Sequence, residues 1–487
     1  MKVDQLILAI LILPVAGAVG IALSRRSPNL REGITLLTAM LLFIGVVQLL
    51  EPVMGGAFPS LTLLAPLPGL PIAFRVEPLG MLFALIASGL WIVNSIYSIG
   101  YMRKNNEKHQ TRFYVCFALA IGSALAIAFA ANLLTLFLFY EVLTLITYPL
   151  VTHAGSEKAK KGGRVYLGIL MGTSVLFLLP AVIYTWHVAG TTDFRPGGIL
   201  PADLAPSTVA VLLALFMFGI GKAALMPFHR WLPAAMVAPT PVSALLHAVA
   251  VVKAGVFTVI KVIVYIFGLD ILAGTTGWLI ALSGFTIVAA SVLALKADNL
   301  KRRLAYSTVS QLSYVIIAAA LLTPLSVMGA TLHLVVHAFG KITLFFAAGA
   351  IYTATHKTEV SELNGIGRRM PWTMTAFTVA ALSLIGIPPA AGFLSKWYIL
   401  SSAVDGRHYY VLAVLLVSTL LNAAYFLPIV HAAFFRQADA RDAGHPHGEA
   451  PWPMVLALTL TAAMTIVLFF FSDPLLQVAS QLVAIQP

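Results

Sequence analysis

Long apolar runs recur along almost the whole of this 487-residue chain, and they constrain its fold more than any motif does. A hydrocarbon core about 30 Å thick is crossed by a helix of roughly 20 apolar residues. Runs of that size predict fourteen spans, near 3–23, 33–50, 78–100, 113–130, 132–152, 165–187, 207–227, 241–267, 277–295, 304–322, 327–353, 372–402, 409–434 and 453–475. Because a backbone in lipid must satisfy its own hydrogen bonds, we expect an all-α polytopic membrane protein.

The composition agrees with a membrane protein and excludes several other classes. Hydrophobic residues make up 60% of the chain and charged residues only 10%. The net charge of +12 does not indicate nucleic-acid binding, because the basic residues lie in short loops and not on one exposed face. The single cysteine, Cys116, excludes a disulfide framework and a cysteine-based zinc or iron–sulfur site within this chain. We therefore expect no cofactor here, and any redox chemistry would belong to partner subunits.

The loop charges predict how the chain is oriented in the membrane. Twenty-one lysines and arginines fall in loops on one side of the predicted spans, and four fall on the other side. Loops rich in lysine and arginine remain in the cytoplasm. We therefore expect both termini outside.

Five lysines and one glutamate lie within apolar sequence of the predicted spans. They are Glu141, Lys222, Lys253, Lys261, Lys341 and Lys396. A charge at mid-bilayer costs about 2.5–3.5 kcal/mol on insertion scales, so such residues are functional candidates by default. Two alternatives stay open. A fixed ion pair of Glu141 with a lysine would only hold helices together, and Lys261, near a helix end, would extend its ammonium to the interface.

Proline interrupts two of the lysine-bearing spans. Pro227 follows Lys222, and Pro388 and Pro389 precede Lys396, which lies 174 residues after Lys222. Proline breaks a helix, and the exposed backbone is tolerated in a membrane only beside protein or a wet cavity. The spacing predicts two inverted five-helix repeats, each with a broken helix, as in transporters. The predicted parts are N-terminal helices at 1–110, repeats at 111–267 and 268–435, and a loop with a last helix at 436–487.

Histidines stand between these two lysines in the sequence. His333, His337 and Lys341 are spaced by four, which places them along one helix face about 12 Å long. Histidine exchanges protons near neutral pH, so this stripe is a candidate proton path. His247 and Lys253 are six residues apart and do not share a face, so a link between them needs water or another helix. The alternative is that the histidines only bond neighbouring helices. No third ligand follows the histidine spacing, so no metal site is predicted.

Five stretches resemble the antiporter-like proton-translocating subunits that respiratory complex I, membrane-bound hydrogenases and Mrp-type Na⁺/H⁺ antiporters share. They are NLLTLFLFYEVLTL, KAALMPFHRWLPAAMVAPTPVSALLHAVAVVKAG, LKRRLAYSTVSQLSYV, LHLVVHAFGKITLFFAAGAI and ALSLIGIPPAAGFLSKWYIL. By this resemblance, Glu141 and Lys222 form the charged pair of the first half-channel. Lys253 with His247 forms the centre, His333 and His337 the bridge, and Lys396 the lysine at the exit.

The resemblance implies a function and a setting. Lysine at position 396 favours the D-type member of the Mrp antiporter family or another lysine-bearing member, in a prokaryotic inner membrane beside other integral subunits. Protons would pass along the buried Glu, Lys and His residues, and any Na⁺ path would involve partners. One alternative is a proton-pumping component of a complex I-like oxidoreductase or hydrogenase, where a partner's electron transfer drives the same residues. Another is a non-conducting structural component.

Overall fold

A computed structural model describes residues 3–67, 69–438 and 448–484 of the chain. Among these residues, eleven helices are long and apolar enough to cross a membrane. The expected multi-pass, largely helical fold is confirmed. Two further predicted spans, near 207–227 and 372–402, begin with shorter apolar helices, Pro206–Gly219 and Pro371–Ile385.

The N-terminal part contains an element that the apolar pattern does not predict. Helices α1 (Val3–Leu23), α2 (Pro28–Gln48) and α3 (Leu50–Met54) are followed by an antiparallel hairpin of β1 (Ser60–Leu67) and β2 (Leu70–Arg75). The expectation of a wholly α-helical chain is therefore wrong at this point. Prolines and glycines make this stretch unsuitable for a membrane helix, and Gly69, with φ of +77°, supplies the left-handed turn between the strands.

The hairpin is fixed to the helix ends beneath it. The backbone N–H of Arg75 donates to the carbonyl of Phe129 at 2.6 Å, and the N–H of Ala131 donates to the carbonyl of Ala73 at 3.0 Å. The N–H of Ala73 donates to Thr135 Oγ1, also at 3.0 Å. The hairpin therefore covers the connection between the two helices that follow α4.

Four spans lead to the first helix break. They are α4 (Pro78–Lys104), α5 (Gln110–Ala128), α6 (Leu133–Val151), and α7 (Glu157–Thr173) with α8 (Leu179–Ala189). A π-helical turn at Ser174–Leu178 joins α7 to α8, so the pair forms one long span. Asn132 and Ser156 cap α6 and α7 by accepting a backbone N–H with their side chains, which satisfies a donor that the helix cannot pair itself.

The predicted break near Pro227 begins earlier than expected. Helix α9 (Pro206–Gly219) ends before Lys222, which lies in a single 3₁₀ turn, Gly221–Ala223. The short helices α10 (Trp231–Ala234) and α11 (Thr240–Ala244) follow. A π turn, Leu245–Val249, then leads into α12 (Val251–Val262), which ends in another π turn at Ile263–Phe267. Pro227 therefore lies inside the irregular segment and not at its start.

The second half has three spans before its break, as the part of the first half from α5 to α8 has. Its elements are α13 (Gly277–Lys296), α14 (Leu300–Ala320), α15 (Pro324–Thr355), α16 (Pro371–Ile385), α17 (Gly392–Asp405) and α18 (Tyr409–Phe435), and the chain continues with α19 (Trp452–Phe470) and α20 (Asp473–Ala484). The break between α16 and α17 contains Pro388 and Pro389, as the sequence predicts. The predicted loop after α18 lies partly outside the described residues.

Two long helical segments occupy the centre of the molecule. The segment 240–267 is buried over the whole of its most apolar stretch, and α15 is buried over nearly all of it. A helix that is apolar on all sides is normally found inside a large protein or a membrane bundle. These two segments carry Lys253, Lys261, His333, His337 and Lys341. These candidate residues therefore lie in the most buried part of the fold.

Candidate proton-transfer site

The backbone at the first break is held by buried side chains. The N–H of Lys222 donates to Tyr140 Oη at 3.0 Å, and Trp231 Nε1 donates to the carbonyl of Gly221 at 2.9 Å. Gly255 of α12 packs so closely that a Cβ there would lie 2.4 Å from the backbone of Lys222 and Ala223. The backbone groups that lose their helical hydrogen bonds at the break are therefore bonded to side chains within the protein.

The Lys222 ammonium is fully buried and bound to one helix turn of α6. Nζ donates to the carbonyl of Tyr140 at 2.8 Å and to Thr144 Oγ1 at 2.6 Å. It also lies 3.2 Å from the centroid of the Tyr140 ring, close enough for a cation–π interaction. Neither Tyr140 nor Thr144 is predicted as a site residue, although both adjoin Glu141 on the same helix.

Glu141 does not contact Lys222 directly, so the expected ion pair is absent from this arrangement. Both carboxylate oxygens of Glu141 are buried and have no hydrogen-bond partner among the described residues. Glu141 nevertheless directly follows Tyr140, whose carbonyl accepts from the Lys222 ammonium. Glu141 and Lys222 are therefore neighbours in one low-dielectric region. The Tyr140 carbonyl and the Thr144 hydroxyl bind the ammonium where a carboxylate would bind it in a direct ion pair.

The central lysine contacts a bridging histidine. Lys253 Nζ lies 2.8 Å from His337 Nδ1, and both side chains are buried. Since an ammonium can only donate, His337 accepts at Nδ1 when the lysine is charged. The His337 ring lies 5.8 Å from that of His333, centroid to centroid. The expected stripe on α15 is thus joined to α12 through a direct contact.

Hydroxyl groups contact the Nδ1 atoms of two other histidines. His247 Nδ1 lies 3.1 Å from Thr308 Oγ1, whose hydroxyl donates to the carbonyl of Leu304. If the threonine keeps that bond, it accepts from Nδ1–H, and the neutral ring then has its lone pair on Nε2. His333 Nδ1 is likewise 2.9 Å from Ser395 Oγ, which donates to the carbonyl of Gly392. In both rings Nε2 is buried without a partner in the part of the chain that the structure describes.

Lys341 extends the stripe on α15 toward α14. Its ammonium donates to Ser307 Oγ at 2.8 Å and to the carbonyl of Leu304 at 3.2 Å. The residue is fully buried. No carboxylate of the described ranges bonds to it, so neutral hydroxyl and carbonyl dipoles are its direct hydrogen-bond partners.

Lys396 occupies the second break in the way that Lys222 occupies the first. Its ammonium donates at 2.8 Å to the carbonyl of Ile385, the last residue of α16, and lies 5.0 Å from the Tyr314 ring centroid. Unlike Lys222, Lys396 is only partly buried. On the neighbouring α14, the amide of Gln311 is buried, and neither of its polar atoms is paired with a described residue.

Lys261 is not an interfacial lysine, so the alternative in which its ammonium extends to the interface is wrong. It is fully buried, and its ammonium lies 2.7 Å from Glu77 Oε1 and 2.7 Å from the carbonyl oxygen of Ala130. Glu77 precedes α4, and its second oxygen lies 3.9 Å from Arg75 of the hairpin. Glu77 is a buried acid that the sequence pattern does not reveal, because it lies just before the predicted span at 78–100. Glu141 is therefore not the only carboxylate enclosed by this fold.

Two family models match the chain. Residues 130–422 match the model described as NADH:quinone oxidoreductase/Mrp antiporter, TM. Residues 69–114 match the model for the N-terminus of NADH-ubiquinone oxidoreductase (complex I) chain 5. The larger match includes Glu141, Lys222, Lys253, His337 and Lys396, so it covers the site described above.

Similar proteins come from several kinds of complex. The chain is 31% identical to NADH-quinone oxidoreductase subunit N of Desulforudis audaxviator over 81% of its own length and 79% of that protein. It is 30% identical to a Na(+)/H(+) antiporter subunit of Alkalihalophilus pseudofirmus over 90% of its length, but spans only 57% of that relative. It is also 30% identical to a probable K(+)/H(+) antiporter subunit of Rhizobium meliloti over 79% of its length, and spans 39% of that protein.

Solved structures share the fold. A chain of the Mrp complex from Dietzia sp. DQ12-45-1b superposes with a TM-score of 0.88 at 21% identity, over 99% of this chain and 97% of that one. A chain of the membrane-bound sulfane sulfur reductase, an archaeal respiratory membrane complex, gives 0.87 at 22% identity with the same coverage. With the family match over residues 130–422, these findings place the protein in the NADH:quinone oxidoreductase/Mrp antiporter transmembrane family.

Proposed function

We propose that this chain is a proton-translocating component of a multi-subunit cation/proton antiporter of the Mrp type. The observation that carries the proposal is the contact between Lys253 and His337, 2.8 Å apart, buried and without a carboxylate partner among the described residues. Two cations at that distance in a low-dielectric core would repel strongly. The pair is therefore stable when only one of the two side chains is positively charged. The neutral side chain can then accept a proton from the charged one.

The proposed path follows the buried bases from one break to the other. A proton on Lys222 would move to Lys253, then through His337 and His333 to Lys396 at the partly exposed second break. The unpaired Nε2 of His333 supplies an acceptor on this path. Each step passes one proton from a charged donor to a neutral base, so the path needs no oxidant or metal. Lys341 is a side branch of the same stripe.

Glu141 would control the first step. While Lys222 is protonated, the nearby carboxylate stabilises its charge. If a neighbouring subunit or an ion draws the Glu141 charge away, the buried ammonium loses that stabilisation and releases its proton toward the centre. The partners of this step would be other integral subunits of the complex. Any Na⁺ path would lie partly in them.

The proposal includes the finer topology of fourteen spans with both termini outside. Two inverted repeats at 111–267 and 268–435 would each contribute one broken helix. The order of elements supports this arrangement, since each half has three spans before its break and one after it. The lysine at each break also donates to a backbone carbonyl, which supports equivalent positions in the two repeats.

A second candidate function is proton pumping in a complex I-like oxidoreductase. It is favoured by the match to the subunit N protein of Desulforudis audaxviator, of which the chain spans 79%. The same residues would act, with electron transfer in a partner as the driving force. Subunits that copurify in a mild detergent distinguish the two: iron–sulfur and quinone-binding proteins indicate the oxidoreductase, and small hydrophobic subunits without cofactors indicate the antiporter.

Three alanine variants test whether the chain conducts protons. Lys222→Ala, Glu141→Ala and Lys396→Ala are each expected to assemble normally and to lose proton transport in vesicles containing the complex. The matched control is Lys160→Ala, because Lys160 is exposed and pairs with Glu157 on the same helix turn. Full transport by Glu141→Ala would contradict the proposed control of Lys222. Full transport by all three would favour a non-conducting component.

A further inference from the structure

Lys261 lies between the central lysine and the hairpin end of the molecule. It follows Lys253 by eight residues on α12, which is about 12 Å along the helix axis and little more than two turns. The π turn after α12 contacts the loop before α9, where the backbone N–H of Arg195 donates to the carbonyl of Tyr265 at 3.3 Å. A proton that left Lys253 along α12 in this direction would therefore have to pass Lys261.

Segments from four parts of the chain meet at the Lys261 ammonium. Besides Glu77 before α4 and the carbonyl of Ala130 between α5 and α6, the ring centroid of Phe194 lies 4.3 Å from Nζ. The guanidinium of Arg75 donates to the carbonyl of Phe194 and so fixes the hairpin over this site. The hairpin, two connecting loops and α12 thus enclose one buried cation.

Apolar packing alone does not close this end of the molecule. Tyr265 lies about one turn after Lys261, and its Oη is buried without a hydrogen-bond partner among the described residues. Thr192, two residues before Phe194, has a buried Oγ1 that is also unpaired there. Buried polar atoms of this kind are normally satisfied by water. Because chains of water molecules conduct protons, closure at this end needs more than the exclusion of water.

The charges around Lys261 do not cancel. Glu77 is the one carboxylate of the described residues that pairs with Lys261 or Arg75, at 2.7 Å from the lysine and 3.9 Å from the arginine. Two cations and one anion leave one net positive charge. Lys261 and Glu77 are buried, whereas the Arg75 side chain is 30% exposed. Because water screens the buried part of this site little, its positive charge acts on a proton at Lys253.

We propose that the cluster of Lys261, Glu77 and Arg75 is an electrostatic barrier, which prevents a proton on Lys253 from leaving at the hairpin end and so directs it to Lys396. The inference rests on the proposed function and assigns to these residues the direction of transport, not the transfer itself. At the second break, by contrast, Lys396 is partly exposed, so water can take up its proton.

Proton leak in the absence of an exchanged cation tests the barrier. The complex is placed in vesicles that contain a pH-sensitive dye, choline replaces Na⁺ and K⁺, and a permeant anion balances the charge. A unit charge about 12 Å away, in a medium of effective dielectric constant about 20, changes a rate by about tenfold. We therefore expect Lys261→Met to leak about tenfold faster than the wild type. Arg75→Gln should leak several-fold faster, since water screens part of the arginine charge.

Two control variants separate charge from packing. Arg195→Gln removes a cation at the same end of the molecule, but Arg195 is 61% exposed and pairs with Asp193, so this variant should leak like the wild type. Arg75→Lys keeps the charge on a different side chain and should also leak like the wild type. Because Arg75→Gln leaves Lys261 and Glu77 in place, it tests the barrier even if Lys261→Met does not fold.

A second substitution tests the route of the leak. Adding Lys253→Ala to Arg75→Gln should return the leak to the wild-type rate, because the leaking proton comes from Lys253. A leak that persists in this double variant would overturn the inference. So would a leak in Arg75→Gln that is no greater than in Arg195→Gln or Arg75→Lys. If the wild-type complex shows no cation-driven proton transport, the proposed function fails instead, while a leak that depends on Lys253 still supports the barrier.

Discussion

Replacing Lys261 by methionine should strongly destabilise the folded chain, because it leaves Glu77 charged and enclosed by protein. The Lys261 ammonium has no exposure, Glu77 is 4% exposed, and their charged atoms are 2.7 Å apart. Arg75 is the nearest remaining cation among the described residues, but it lies 3.9 Å from the other carboxylate oxygen and is partly solvated. It therefore compensates only part of the lost partner.

The magnitude follows from the cost of an unpaired buried charge. Breaking a buried ion pair by removing one partner typically costs about 3–5 kcal/mol, whereas replacing both partners by neutral groups is often close to neutral. We expect Lys261→Met and Glu77→Gln each to cost about 3 kcal/mol. This is the lower end of the range, since Arg75 remains for the acid and the carbonyl of Ala130 remains for the lysine. The double variant should recover most of the loss.

The measurement is unfolding of the purified protein in mild detergent, followed by tryptophan fluorescence for all four members of the cycle. An exposed pair, Lys160 and Glu157, provides the control, and Lys160→Met should cost no more than about 0.5 kcal/mol. The reasoning is refuted if Lys261→Met is as stable as the wild type. It is also refuted if the double variant loses the sum of the two single losses, because the pair would then have no mutual coupling.

Three further predictions concern other parts of the fold. The pKa of His153 is lowered to about 4 by burial and a nearby arginine, against about 6.5 when unfolded. Its stabilisation is therefore present above pH 6.5 and decreases as the pH falls toward 4. The melting temperature of His153→Gln should fall less than that of the wild type between pH 7 and pH 5, and equal slopes would contradict this. Gly255→Ala should displace the Lys222 turn and abolish proton transport, while Gly277→Ala, with open space around the added carbon, should transport normally. Thr144→Val removes a 2.6 Å acceptor from Lys222, and a several-fold fall in transport at unchanged expression is expected; unchanged transport would show that the hydroxyl is dispensable.

Much of the architecture is predictable because a lipid bilayer tolerates few kinds of backbone structure. Apolar runs long enough to cross it must be helical, so the spans can be predicted from length and hydropathy. Intramembrane lysines and histidines stand out for the same reason, since few such groups are tolerated without a role. The proline-bearing breaks beside Lys222 and Lys396 are also visible, although the first break begins at Gly219 and not at Pro227.

The partners of these residues are not predictable, because they come from distant parts of the chain. The family resemblance implies that Lys222 and Glu141 form a charged pair, but the fold places the ammonium against Tyr140 and Thr144, one turn of the same helix. The contact of Lys253 with His337 joins residues 84 positions apart. A hydropathy profile does not distinguish burial in lipid from burial in protein. It also contains no information on which helices pack against each other.

Composition and hydropathy are enough to predict that this protein crosses a membrane and which side chains inside it carry exchangeable protons. Those properties depend on local composition, and the energetic cost of polar groups in lipid makes them recognisable. Tertiary structure alone decided that residues 60–75 pair as a hairpin and that Lys261 is enclosed with Glu77. It also decided that His247 Nδ1 lies against Thr308. Each of these depends on a hydrogen bond or a charge contact between segments that meet only after the helices have packed.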